Sequence, residues 1–294
     1  MKIISYIYLS WLFFFAARSI SSLNQLSFSG GGSYGAVEIG ILKKVMEQNA
    51  HMKFDLYTGI SAGALNAGIL SYYSNIHRGI EKTEQLYSSI NNKMIYGFFP
   101  PNGMSFLHTR PLQETLTQII ESIPESPRIH TLIGATNMYS GKLDIFDFEK
   151  QTNADKVLLS MSSCAIPGIF PPVLFKNNLY ADGGTLSNEL IQVEHDTNYL
   201  NITFITPYED QIYNHKDIKN LKDVLWRTCA IVMNNFNNPM SSLNENCRTS
   251  IGEINKYYVP SEVLKGYPIL NFNRGNELIH IGYNHVMHKK YYIC

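Results

Sequence analysis

Charge is what this sequence has least of. Charged side chains make up 16% of its 294 residues, well below the ~25% usual in soluble globular proteins. The 24 basic and 24 acidic groups cancel, and no stretch concentrates cations, so the electrostatic footprint of a nucleic-acid binder is missing. Cysteine is sparse too. Cys164, Cys229, Cys247 and Cys294 form no Cys-x-x-Cys pair, which argues against a zinc site or thioredoxin-type redox chemistry. The histidines form no His-Glu-x-x-His cluster, so neither metal nor cofactor is expected. Heptads, solenoid repeats and low-complexity tracts are absent, which excludes the common scaffold architectures. What is present, 45% hydrophobic residues, suffices for a sizeable buried core in one large domain or two small ones.

A long apolar run occurs only at the N-terminus. Lys2 precedes the mostly apolar stretch Ile3–Ala17, followed by Arg18 and Ser19. This is the layout of a secretory signal, and it falls short of the ~20 residues that a membrane span requires. Residues 1–19 therefore read as a cleaved signal, with an uncleaved anchor and a packed helix as alternatives. Residues 23–290 read as the folded domain, located in the secretory pathway, outside the cell or at a membrane rather than in the cytoplasm. The pairing of the cysteines stays open. The sequon Asn201-Ile202-Thr203 lies in a β-rich run that reads as a core strand, which opposes glycosylation there.

The order of elements points to an α/β protein with a parallel sheet. A strand at Gln25–Ser29 runs into Gly30-Gly31-Gly32. A helix follows, with Val37, Ile41, Leu42 and Val45 on one face. A second strand at Phe54–Thr58 reaches Gly59-Ile60-Ser61-Ala62-Gly63, and a helix is expected over Ala64–Tyr73. Further strands are expected at Ile129–Asn137, Lys142–Phe148, Leu179–Ala181 and Asn201–Thr206. Helices are expected from about Ala154 to Pro167, around Ile218–Asn235 and over Leu278–Lys290. Residues 236–262 give no clear pattern.

Three motifs carry chemistry. Gly59-Ile60-Ser61-Ala62-Gly63 fits G-x-S-x-G, whose glycines allow a sharp strand-to-helix turn that exposes Ser61 at a helix N-terminus. There the helix dipole and free amides favour developing negative charge. In Gly30-Gly31-Gly32-Ser33-Tyr34-Gly35 the backbone N–H groups are unscreened by side chains, as a carbonyl oxyanion or a phosphate requires. The same letters satisfy the dinucleotide fingerprint G-x-G-x-x-G, but Asp55 lies near the start of the second strand rather than at its end. Asp182-Gly183-Gly184 follows a strand and alone would read as a turn. Together the motifs supply a nucleophile, oxyanion donors and a proton acceptor.

Gly30–Gly35, Gly59–Gly63 and Asp182-Gly183-Gly184, in that order, resemble the patatin-like phospholipase family. So does Ser160–Pro172, which is similar to the helix and proline-rich segment before that family's catalytic aspartate, and the Gly282-Tyr283 region, similar to its closing helix. The resemblance implies a three-layer α/β/α fold with a mainly parallel central sheet. It also implies lipid acyl hydrolysis by a Ser61–Asp182 dyad, without histidine. Gly30, Gly31 and Gly32 would form the oxyanion hole, with Gly35, Gly59, Gly63, Gly183 and Gly184 as motif glycines. The expected partners are a phospholipid or other acyl lipid and a membrane surface. This chain has Tyr34 where the family usually has arginine, and Ser29 where it often has aspartate. Two other readings remain: an α/β-hydrolase triad with His280, His285 or His288, in the right chain order, and an inactive lipid-binding module. Phe98, Phe99, Phe106, Phe170 and Leu174 read individually as core residues and collectively as candidates for an acyl groove or a membrane contact.

Overall fold

The computed structural model describes residues 22–98, 103–191, 199–208 and 251–293, together with Val224 and Thr228. The expectations for residues 1–19, Phe99, Cys229, Cys247, Cys294 and nearly all of the helix around Ile218–Asn235 lie outside the described residues. Among the described residues, no helix is long and apolar enough to cross a membrane.

The described residues open with β1 (Ser22–Phe28), α1 (Gly35–Gln48), β2 (Leu56–Ile60) and α2 (Ala62–Leu70). Next come α3 (Ile76–Ser89), α4 (Asn92–Ile95), the short strands β3 (Gly97–Phe98) and β4 (Leu107–His108), and α5 (Arg110–Ser122). Then follow β5 (His130–Asn137), β6 (Lys142–Asp147), α6 (Asn153–Ser163), β7 (Val173–Phe175) and β8 (Asn178–Asp182). The last elements are β9 (Tyr199–Tyr208), β10 (Gly252–Val259), α7 (Gly275–Asn284) and β11 (Met287–Ile293). One mixed nine-stranded sheet runs β11-β10-β9-β1-β2-β5-β8-β7, with β6 also on β5. Its middle, β10-β9-β1-β2-β5, is parallel throughout. The flanking helices complete the three-layer α/β/α class that the βαβ pattern implies.

Alternation along β1 divides its side chains between two environments. Leu26 and Phe28 join a core with Val37, Ile41, Leu42 and Val45 of α1 and Leu278 and Ile279 of α7. Gln25 and Ser27, on the other face, are equally buried and hydrogen-bond to the carbonyl of Leu190.

β5 makes the arrangement that matters most for the site. Its residues Leu132–Asn137 pair with β6 along one edge. The other edge is shared by two strands in succession, because a strand has only two edges. β2 occupies it as far as Ile60 opposite Gly134, and β8 takes over with Asp182 opposite Ala135. Ser61, the residue after Ile60, thus leaves the sheet where Asp182 enters it.

Three local expectations need correction. The helix expected over Leu278–Lys290 ends at Asn284, and Met287–Ile293 instead pairs antiparallel with β10. Tyr291, Tyr292 and Ile293 suit a strand, and β10, in the stretch without clear pattern, supplies the partner. β7 was hidden beside Pro171-Pro172. It forms a hairpin with β8 through the two-residue loop Lys176-Asn177, both at positive φ (46° and 62°), as a tight type I′ connection requires. The helix ending near Pro167 stops at Ser163.

α1 and α7 touch backbone to backbone through two glycines. A Cβ on Gly40 would lie 2.0 Å from the carbonyl oxygen of Ile279, and one on Gly282 would lie 2.0 Å from that of Val37. Gly40→Ala or Gly282→Ala must separate the helices. Each is expected to cost about 3 kcal/mol or more in thermal unfolding. A melting temperature equal to that of the unaltered protein would show that the helices are free to separate.

Candidate active site

Ser61 occupies the turn between β2 and α2 with φ 54° and ψ −124°, a conformation that L side chains rarely adopt. The flanking glycines permit it. A Cβ on Gly59 would meet the Gly63 carbonyl oxygen at 2.3 Å, and one on Gly63 would meet the Ser29 carbonyl oxygen at 2.4 Å. Neither position tolerates a side chain, and strain of this kind is characteristic of functional turns. The turn is clamped from α6. Ser61 N donates to Ser163 Oγ at 2.9 Å, and Ser163 Oγ donates to the Gly134 carbonyl at 2.7 Å. Ser163 thus ties the elbow to β5.

The structure brings Ser61 and Asp182 together as expected: Ser61 Oγ donates to Asp182 Oδ2 at 2.7 Å. The other carboxylate oxygen accepts from Gly184 N at 2.8 Å. The Asp182 backbone is held on both sides, by Ala165 O at 2.8 Å and by Thr136 Oγ1 at 2.9 Å. Ser61 is 4% exposed and Asp182 fully buried. Burial pushes the Asp182 carboxyl up to about 7, against the lowering effect of the hydrogen bonds from Ser61 and Gly184. Desolvation is the dominant cause because the charged form has lost water and gained no cation. Cys164 is the buried neighbour of the pair. Its thiol is pushed up first by burial and then by the Asp182 charge.

The glycine loop lies against the serine. A Cβ on Gly30 would come within 3.1 Å of Ser61 Cβ, and one on Gly35 within 3.1 Å of Ala62 Cβ. Its three leading amides are not equivalent. Gly30 N donates to Asn188 Oδ1 at 3.0 Å. The N–H groups of Gly31, Gly32 and Ala62 have no hydrogen-bond partner among the described residues. The loop's far side is fixed by Ser33 N to Ile269 O at 2.8 Å and by Tyr34 Oη to Tyr267 O at 2.5 Å. Tyr34 is buried and its hydroxyl is committed to that carbonyl, so it is a structural tie where the family usually has a cation. Gly183 packs a hydrogen where a Cβ would lie 2.6 Å from Gly134 O.

Beneath the loop, Glu38 is fully buried and accepts from Ser29 N (3.1 Å), Ser29 Oγ (3.3 Å) and Asn66 Nδ2 (2.9 Å). Burial holds its carboxyl well above the usual range. This network joins the end of β1 to α2. The sequence reading missed Glu38, Ser163 and Asn188. Ser163 and Asn188 act across more than 100 positions, and only the Asn that closely follows the Asp-Gly-Gly turn offered any local hint.

The histidines considered for a triad are elsewhere. His280 and His285 are exposed, and His288 stacks on Tyr257 at 4.6 Å with Nε2 3.0 Å from Asn255 Oδ1. Asp55 begins the run into β2 and accepts from Asn24 N at 3.0 Å, away from the Gly30–Gly35 loop. Among the described residues, one group of metal-type side chains gathers: His130, Asp147 and Glu149, at the start of β5. There the two ring nitrogens face different carboxylates, at 3.3 Å and 2.5 Å.

The raised Asp182 carboxyl has a consequence for stability. Unfolded, it titrates near the ordinary ~3.9; folded, near 7. Between these values the folded chain holds a proton that the unfolded chain has released. This group's contribution is therefore fully present in acid and is lost as pH rises through 7. Asp182→Asn removes the penalty and is expected to melt several degrees above the unaltered protein at pH 8, with the gap closing near pH 4. Circular dichroism melts at both pH values check this; equal melting at pH 8 would sink it.

Comparison with known proteins gives the family. Residues 26–193 match the patatin-like phospholipase family, a span that contains all three motifs. No curated protein matches the chain. Among solved structures it is similar to VipD from Legionella pneumophila, with 11% identity, a TM-score of 0.42, and coverage of 91% of this chain and 68% of that one. With the family matched over more than half of its length, the chain belongs to the patatin-like phospholipases.

Proposed function

We propose that the chain hydrolyses carboxylic esters of acyl lipids, with Ser61 as nucleophile and Asp182 as its proton acceptor. The observation that carries this reading is the buried 2.7 Å hydrogen bond from Ser61 Oγ to Asp182 Oδ2, set beside unpartnered loop amides. Family membership supports the general class, lipid acyl hydrolysis.

The geometry supports the following chemistry. Ser61 Oγ bonds to the ester carbonyl carbon while its proton passes to Asp182, and the carbonyl electron pair moves onto oxygen. The N–H groups of Gly31 and Gly32, with that of Ala62, stabilise the resulting oxyanion. The tetrahedral centre collapses, the alcohol leaves with the proton from Asp182, and an acyl group stays on Ser61. Water then gives its proton to Asp182 and attacks the acyl carbon; the second tetrahedral centre collapses, the fatty acid leaves, and the proton returns from Asp182 to Ser61 Oγ. An aspartate with the ordinary pKa is a weak base; one shifted to about 7 is far better matched to taking a proton near neutral pH. With arginine replaced by Tyr34, the amides supply the electrostatic stabilisation, at roughly 3–4 kcal/mol for a well-placed donor.

The substrate would be met at a membrane surface. Phe98 and Phe106 are each 69% exposed and Met104 is 49% exposed, on a stretch with no charged residue between Lys93 and Arg110. Phe106 N and Leu107 N bond to Gly168 O and Ile169 O, just beyond the Ala165 carbonyl that holds Asp182. Phe170, by contrast, is core, as expected, whereas Leu174 is exposed. The secretory or membrane-associated location remains part of this proposal and rests on the apolar N-terminal residues.

Acyl release from labelled phospholipid vesicles tests the reading. Ser61→Ala and Asp182→Asn are each expected to lower the rate by about 10³-fold or more, with His280→Ala, His285→Ala and His288→Ala unchanged. Loss of activity in a histidine variant that keeps its fold would favour the triad. An inert unaltered protein that a fluorophosphonate also fails to label would favour a lipid-binding module. The rate should rise with pH around an inflection near 7, as Asp182 ionises; a profile flat from pH 5 to 9 would remove Asp182 as the base.

A further inference from the structure

We propose that Asn188 is the positioning residue that sets the Gly30–Gly32 loop for catalysis, an inference that rests on the ester hydrolysis proposed above. Its side-chain amide grips both backbone polar groups of Gly30: Oδ1 accepts from Gly30 N at 3.0 Å and Nδ2 donates to Gly30 O at 3.2 Å. A primary amide presents a donor and an acceptor side by side, which a carboxylate or a hydroxyl does not match. The grip is close. A Cβ on Gly30 would lie 2.4 Å from Asn188 Oδ1 on one side and 3.1 Å from Ser61 Cβ on the other. Gly30 is held between the asparagine and the serine.

Asn188 reaches this place because its own segment is fastened to the sheet. The Leu190 carbonyl accepts from Thr58 Oγ1 at 2.6 Å, Gln25 Nε2 at 2.9 Å and Ser27 Oγ at 3.1 Å, side chains of β2 and β1. Ser187 Oγ closes the turn on Glu189 O at 2.7 Å. The segment starts at the Asp182-Gly183-Gly184 turn, so one short stretch both carries the base and orients the oxyanion loop. The latch also divides the work among the glycines. Gly30 N–H is engaged by Asn188, and the next amides, Gly31 and Gly32, are left to face the substrate. Of the three oxyanion residues expected from the sequence, Gly30 is thus given a supporting role.

Amide hydrogen exchange at Gly30, followed by NMR, together with steady-state kinetics on an ester, tests the latch. In the unaltered protein the Gly30 N–H should be protected. Asn188→Ala should speed its exchange at least tenfold and lower kcat by about 10- to 100-fold, the range of a misplaced oxyanion donor. KM and melting temperature should change little. Asn188→Asp keeps the acceptor but loses the donor and adds a negative charge, so Gly30 should stay protected while kcat falls at least as far. A packing role alone would move melting temperature and leave kcat in place, which would overturn the proposal. Unchanged Gly30 exchange in Asn188→Ala would overturn it as well. An unaltered protein that cleaves no ester, yet shows the exchange pattern above, would overturn the reaction rather than the latch.

Discussion

The edge of β5 is the constraint on which the site depends. β2 and β8 approach it in opposite directions and occupy it one after the other, so the end of one strand abuts the end of the other. A serine just past β2 and an aspartate closing β8 must then meet. No loop has to be trained into place to bring them together, because ladder hydrogen bonds on either side fix both backbones. What remains for local chemistry is the last turn of each chain. Gly59 and Gly63 let Ser61 adopt positive φ, and Gly184 N–H turns the carboxylate toward it.

That meeting point is dry, and dryness decides the electrostatics. A fully buried carboxylate with a hydroxyl and an amide as partners is short of compensation for its charge. Tyr34 supplies no cation and spends its hydroxyl on Tyr267 O. Desolvation pushes the Asp182 carboxyl upward, and in the proposed reaction backbone dipoles would stabilise the transition state. Both effects grow as water is excluded. On the proposed mechanism, the burial that destabilises the ionised aspartate would also suit it to act as a base near neutral pH.

Much of this was legible from the sequence because glycine announces geometry. Close backbone approach at Gly30, Gly59 and Gly63 cannot be met by other residues, so the motifs survive as short strings that can be read locally. The first βα units followed for the same reason, with apolar spacing on α1 matching its buried face. Illegible were the parts whose partners lie far along the chain. Ser163 acts on Ser61 over 102 positions and Asn188 on Gly30 over 158. A Ser in a helix gives no local sign of such a task, and an Asn after a turn gives no sign of its partner. β10 and β11 were missed because each is a strand by virtue of pairing with its neighbours, and Met287–Ile293 looked like the continuation of a helix until β10 was in place.

The ties of the glycine loop to residues 267–269 carry a consequence for the order in which the protein is made. Ser33 and Tyr34 are among the first residues to leave the ribosome after β1, yet the carbonyls that hold them come more than 230 positions later. α1, which starts at the end of that loop, waits likewise for α7 to pack against Gly40. A nascent chain long enough to contain Ser61 and Asp182 therefore still lacks the residues that tie down the Gly30–Gly35 loop. The arrangement of this loop is therefore complete only once residues 267–284 have docked.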